Sequence, residues 1–159
     1  MMHESDLEDL SFTVSAYISR PVDEVYEAVA DPAQLSAYFT TGGARGRLES
    51  GAVVTWDFAD FPGEFPVRVV EAERPARIVI EWDAQEAAPG HDGGTRVTFE
   101  FESIDEGART VVRVTESSWN ATQAGAKAAF GNCYGWSQML ACLKVWLEHG
   151  INLREGFFK

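Results

Sequence analysis

The sequence predicts an α+β domain in which an antiparallel sheet of six to seven strands curls around one long C-terminal helix, with two short helices after the first strand. Three observations lead there. The segment GWSQMLACLKVWLEHG at 135–150 carries Trp136, Met139, Leu140, Leu143, Trp146 and Leu147 at three- and four-residue steps, the period of an amphipathic helix. Ala141, Cys142 and Val145 widen its apolar sector well beyond a surface stripe, so the helix must be enclosed on most sides. Upstream lie five runs rich in Val, Ile, Phe, Trp and Thr, separated by short turn signals, which is how hairpin-connected strands read.

Each element follows in order. Residues 10–18 alternate, with Phe12, Val14, Ala16 and Ile18 on one face and Thr13, Ser15 and Tyr17 on the other, as in a half-buried strand. Pro21 suits a helix start, and Val22, Val25, Tyr26 and Val29 then step at helical spacing, with Asp23 and Glu24 favourably placed at the positive end of the helix dipole. Asp31-Pro32 stops that helix, and a second short one covers 33–39. Strands follow at 52–58, 65–73, 76–83, 95–103 and 109–117. The turns between them are Phe61-Pro62-Gly63, Arg74-Pro75, the glycine-rich stretch 89–94 and Asp105-Glu106-Gly107. The long helix covers 124–147, with Gly150 as its stop signal.

Strand parity separates a dry face from a wet one. Val54, Trp56 and Phe58, then Ile78, Ile80 and Trp82, then Val97, Phe99 and Phe101 point inward, and Phe65, Val67 and Val69 join them. The helix adds Phe130, Tyr134, Trp136 and Trp146. Such rings either fill the core or line a cavity between sheet and helix.

Composition narrows the class. The chain has 159 residues, an ordinary 45% apolar content, and 13 Lys and Arg against 25 Asp and Glu, a net of −12. That charge argues against nucleic acid or an anionic membrane as partner. The opening MMHESDLEDL lacks a basic region and an apolar run, and residues 1–9 are expected to form a disordered acidic tail ahead of a single domain at 10–159. Cys133 and Cys142 are nine residues apart, about 900° of helix rotation, so they point to opposite faces and cannot bridge. A reduced, cytoplasmic protein without membrane insertion is expected.

The segment from Ile18 to Pro32, Ile-Ser-Arg-Pro-Val-Asp-Glu-Val-Tyr-Glu-Ala-Val-Ala-Asp-Pro, resembles the opening of the SRPBCC or START-like superfamily. Gly135-Trp136, Met139-Leu140, Leu143 and Leu147-Glu148 with Gly150 resemble the branch named for the activator of the heat-shock protein ninety ATPase, which is related to the polyketide cyclases. The resemblance covers residues 10–153. It implies the helix-grip fold, also called START or Bet v-like, with a hydrophobic cavity between sheet and helix. Lipid carriers, polyketide cyclases and co-chaperones active in the stress response belong to that group, so it does not by itself select an activity.

Catalytic and metal motifs are sparse. His3, His91 and His149 have no ligand at zinc spacing, neither cysteine has a histidine nearby, and no nucleophile elbow occurs. No cofactor is expected. The stretch 42–47, Gly-Gly-Ala-Arg-Gly-Arg, lacks the Lys-Ser/Thr ending of a phosphate loop and reads as a plain turn, with a mobile rim to a cavity as the alternative. Glu116 shares parity with Val112 and Val114. It either faces inward, where a buried carboxylate must be paired or protonated, or lies past the frayed end of its strand in solvent. Trp119 either caps the cavity mouth or anchors its loop. Tyr134 and Ser137 either offer hydroxyls to the cavity or bond within the core.

The expected site is Trp56, Phe58, Phe65, Trp82, Phe99, Glu116, Trp119, Phe130 and Tyr134, holding a small hydrophobic molecule of lipid or polyketide type in a non-catalytic carrier or sensor. The alternatives are a co-chaperone that binds the chaperone ATPase protein, and a cyclase-type enzyme with Glu116 as its acid or base.

Overall fold

The computed structural model describes residues 10–88 and 94–159. The expected tail at 1–9, His3, His91 and all of the 89–94 turn except Gly94 lie outside those residues. The elements run β1 (Phe12–Ile18), α1 (Val22–Ala30), α2 (Pro32–Tyr38), β2 (Gly43–Arg45), β3 (Val53–Phe58), β4 (Phe61–Glu73), β5 (Arg77–Asp83), β6 (Gly94–Ile104), a short 3-10 turn (Asp105–Gly107), β7 (Arg109–Ser117) and α3 (Gln123–His149).

The seven strands form one curved antiparallel sheet in the order β1-β7-β6-β5-β4-β3-β2. Neighbours in sequence pair from β2 to β7, as short hairpin connections dictate. β1 instead joins β7 at the far edge, so α1 and α2 must carry the chain across the sheet to β2. This is the expected helix-grip arrangement.

Local chemistry sets the helix ends. Asp31 caps α2, its carboxylate accepting from the Ala33 N–H at 2.9 Å, with Pro32 in the first turn. Thr122 caps α3 by accepting from the Gly125 N–H at 3.0 Å. Gly150 ends α3 in the left-handed conformation at φ 69°, and its N–H donates to the Trp146 carbonyl at 2.8 Å.

The dry face is as parity requires. Ile18, Val54, Trp56, Val67, Ile78, Ile80, Val97, Phe99, Val112 and Val114 are buried, and they meet Trp136, Met139, Leu140, Cys142 and Leu143 from α3. Tyr38 is fully buried and donates its hydroxyl to the Ala28 carbonyl at 2.9 Å, with burial pushing its pKa well up.

Three expectations need correction. The stretch 42–47 is not a plain turn: Gly43–Arg45 form the edge strand β2, with Ala44 opposite Trp56. Pro62 and Gly63 are not the hairpin turn, because β4 already begins at Phe61, which pairs with Phe58 and leaves the turn to Ala59 and Asp60. Finally, α3 is not enclosed on most sides. The sheet covers one face, while Phe130 is 71% exposed and Ala141 is exposed as well. One curved sheet reaches only one side of a helix.

Candidate functional site

The hydrogen-bonding centre between sheet and helix is Glu116. Its placement follows from register: Glu116 on β7 lies opposite Val97, and Thr95, two residues earlier on the same face of β6, lies opposite Trp82 on β5. The carboxyl group is fully buried. One oxygen, Oε2, accepts from Trp82 Nε1 at 2.8 Å and from the Thr95 hydroxyl at 2.6 Å. The other, Oε1, accepts from Trp136 Nε1 at 2.9 Å and from Asn132 Nδ2 at 3.0 Å. Two donors come from the sheet and two from α3, so one carboxyl group couples the layers. This is the inward alternative of the sequence reading, with the partners that burial demands.

Three of these four partners line an open cavity of about 370 Å³ beside the middle of α3. Trp82 and Trp136 lie 5.3 Å apart between ring centroids at 32°, and Phe39 adjoins Trp136 at 5.7 Å. Phe58 packs edge-on to Phe39 at 5.1 Å, and Phe61 stands at the start of β4. Gly131, Gly135, Gln138 and Met139 give the helix wall.

The remaining wall comes from the segment after α3, which folds back over the hairpin of β3 and β4. Arg154 is only 5% exposed and donates to both carboxylate oxygens of Asp60, at 2.6 and 2.8 Å. The same bond holds the Asp60 carboxyl below its ordinary range. The guanidinium lies over Phe58 at 5.6 Å and over Phe158 at 4.7 Å. Phe158 in turn contacts Phe61 and Tyr134, at 6.1 and 5.8 Å. A second cavity, of about 410 Å³, lies on the other side of this segment against Thr41, Ala59 and Asp60.

The structure sorts the nine expected residues. Phe58, Trp82 and Tyr134 line the cavity. Trp56, Phe65 and Phe99 stand behind it, Trp56 and Phe65 each 5.9 Å from Trp82, and Phe99 5.5 Å from Trp136. Glu116 is reached from the cavity only through its partners. Trp119 is buried, pairs with Ala87 and anchors its loop away from the cavity, so it is not a cap. Phe130 points to solvent, because position 130 falls on the uncovered face of α3. Ser137 donates to the Cys133 carbonyl at 2.9 Å instead of to the cavity.

Sequence reasoning missed Phe39, Phe61, Gly131, Asn132, Gly135, Gln138, Met139, Arg154 and Phe158 as lining residues. Asn132, Trp136 and Met139 recur at helical spacing, and that was a usable signal. Arg154 and Phe158 follow the last periodic element and have no such mark.

Among the described residues, no three His, Cys, Asp or Glu side chains are grouped to hold a metal, and no helix is long and apolar enough to cross a membrane.

A sequence search of curated proteins found no match. Solved structures are similar throughout. A protein from Staphylococcus saprophyticus is 27% identical, with a TM-score of 0.75 over 91% of this chain and 96% of that one. A putative protein of the dynemicin biosynthetic locus is 25% identical, with a TM-score of 0.70 over 88% of this chain and 48% of its own. An HSP90 activator from Plasmodium falciparum shares the fold at 23% identity and a TM-score of 0.68, over 87% of this chain and 96% of that one. The family model described as "Activator of Hsp90 ATPase homolog 1-like protein" matches residues 19–148, and the chain belongs to that family.

Proposed function

We propose that this protein binds a small apolar molecule, lipid- or polyketide-like, in the cavity beside α3 and acts as a non-catalytic cytoplasmic carrier or sensor. The observation that carries the reading is the ring-lined cavity of about 370 Å³, which falls in the size range of ligand pockets, about 300–1,000 Å³. Its walls are pinned from behind by Glu116, so the pocket is preformed. Phe58, Trp82 and Tyr134 are the contacts carried forward from the sequence, joined by Phe39, Trp136 and Phe158, while Trp56, Phe65 and Phe99 back them. The likeness to a protein of a biosynthetic locus supports a natural-product ligand. The cyclase reading loses support, because Glu116 is absent from the cavity lining and its four partners are all donors.

A second reading is a co-chaperone that binds the heat-shock ATPase, and family membership favours it. Amide-resolved NMR separates the two. Fatty acids, sterols and aromatic polyketide-like compounds are titrated in one arm and the middle domain of the chaperone ATPase in the other. The ligand reading expects saturable shifts at Trp82, Tyr134 and Trp136 with one compound class. Shifts confined to polar outer-face residues, seen only with the ATPase domain, would replace it with the co-chaperone reading.

A further inference from the structure

We propose that the cavity is shaped for a flat ring system carrying an uncharged oxygen acceptor, such as a ketone or quinone, in preference to a flexible acyl chain; this rests on reading the cavity as a ligand site.

The helix wall gives the first argument. Glycine is unfavourable in a helix interior, yet α3 contains Gly125, Gly131 and Gly135. Gly125 is required by packing, since a Cβ there would lie 1.9 Å from the Asn120 carbonyl oxygen. Gly131 and Gly135 are not: apart from the adjoining residues and the helix's own backbone, nothing lies within 4 Å of a Cβ at either position. Both line the cavity, one helical turn apart, so the space above them belongs to the cavity and its wall there is bare backbone. A flat molecule can lie directly on such a strip.

The rings give the second argument. Phe39, Phe58, Phe61, Trp82, Trp136 and Phe158 make the rest of the lining largely aromatic. Aromatic faces and edges favour another ring in offset or edge-on contact, a gain that an acyl chain does not receive.

Arg154 supplies the polar end. A guanidinium has five N–H donors, and Asp60 takes one from each terminal nitrogen. Its side chain makes no other hydrogen bond among the described residues, and it is nearly buried and lines both this cavity and the second one. Asp60 already neutralises the charge, and the chain carries a net −12. An incoming carboxylate would therefore be desolvated beside a pair of no net charge, whereas a carbonyl oxygen accepts the same N–H without burying an anion.

Four probes test this by isothermal titration calorimetry: 9-fluorenone, fluorene, 9-fluorenone-2-carboxylate and decanoate. Fluorenone is expected to bind about tenfold more tightly than fluorene, the value of one buried hydrogen bond, and more tightly than either anion. Gly135→Ala is expected to raise the melting temperature by about 2–4 °C through better helix propensity, and to weaken fluorenone at least about fivefold by filling its slot. In the charge-neutral pair Asp60→Asn with Arg154→Met, fluorenone and fluorene should bind alike. Equal affinities for fluorenone and fluorene in the parent protein, or unchanged fluorenone affinity in the stabilised Gly135→Ala variant, would overturn the inference. Decanoate binding where the ring compounds fail would overturn it while leaving the cavity a ligand site. No binding by these four or by the wider panel would remove both.

Discussion

Glu116 lies where a carboxylate costs most to desolvate, and four donors meet it there. Glutamine at this position keeps the shape but replaces an acceptor by an NH2 group, which must then face an indole N–H or the Asn132 amide. Glu116→Gln is expected to lower stability by about 2–4 kcal/mol, read from urea unfolding, and to shift tryptophan emission to the red as Trp82 or Trp136 loses its anchor. A loss below about 1 kcal/mol would show that the network is dispensable. The two cysteines differ at the same scale. Cys142 is fully buried and burial pushes its thiol pKa up, whereas Cys133 is partly exposed. A thiol-specific disulfide reagent should label Cys133 alone in the native protein and both after denaturation, because the thiolate is the reacting form. Native labelling of Cys142 would mean that the face of α3 against Tyr38 and the core opens readily.

The elements that hydrophobic pattern specifies were legible, and those specified by pairing or by return of the chain were not. β1 shows it plainly: Phe12, Val14, Ala16 and Ile18 alternate with exposed Thr13, Ser15 and Tyr17, and period-2 patterning survives in any fold with one wet face. β2 is only three residues long and begins with glycine, so nothing but its pairing to Asp57, Trp56 and Thr55 makes it a strand. Pro62-Gly63 carries a turn signal that the ladder between β3 and β4 overrides. At the site, the rings of β3 and β5 could be read from parity, while for Glu116 parity left the inward position as one of two alternatives. The wall built by Arg154 and Phe158 could not, since a segment folding back after α3 is positioned by one ion pair and ring contacts with no periodic trace. That segment yields an element-scale prediction. Asp60→Ala leaves the Arg154 guanidinium buried without its partner and is expected to cost about 3–5 kcal/mol or to release the segment into solvent. Hydrogen exchange should then quicken at 150–159 while the amides of β6 and β7 keep their protection. Unchanged exchange at 150–159 would mean that Phe158 and its neighbours alone hold the wall.

Across the whole molecule, charge ties the layers together at a point far in sequence from the cavity wall after α3. Glu27 on α1 accepts two bonds from Arg47, both 2.7 Å, and one from Arg74 at 2.8 Å, and Arg74 also pairs with Asp23 at 3.2 Å. Arg47 follows β2 and Arg74 follows β4, so a single carboxylate joins the helical layer to two connections of the sheet. The Arg47 bonds, with those of Arg74, hold the Glu27 pKa at about 2, below its ordinary 4.5. The sign follows from linkage: a depressed carboxylate pKa adds stability that is complete above the unfolded value and is lost as pH falls through the folded one. Glu27 therefore stabilises the fold above about pH 4.5 and ceases to do so near pH 2. The net −12 works in the other direction, since protonating other carboxylates relieves self-repulsion over the same range. A comparison with Glu27→Gln separates the two, because repulsion acts on both proteins and the Glu27 bonds only on one. At pH 7 the variant should be less stable by about 1–2 kcal/mol after solvent screening. The gap should close between pH 4.5 and pH 2, read from urea midpoints at each pH. A gap that stays constant through that window would show that the arginines bind the neutral side chain as well, and that the layers are joined by packing rather than by charge.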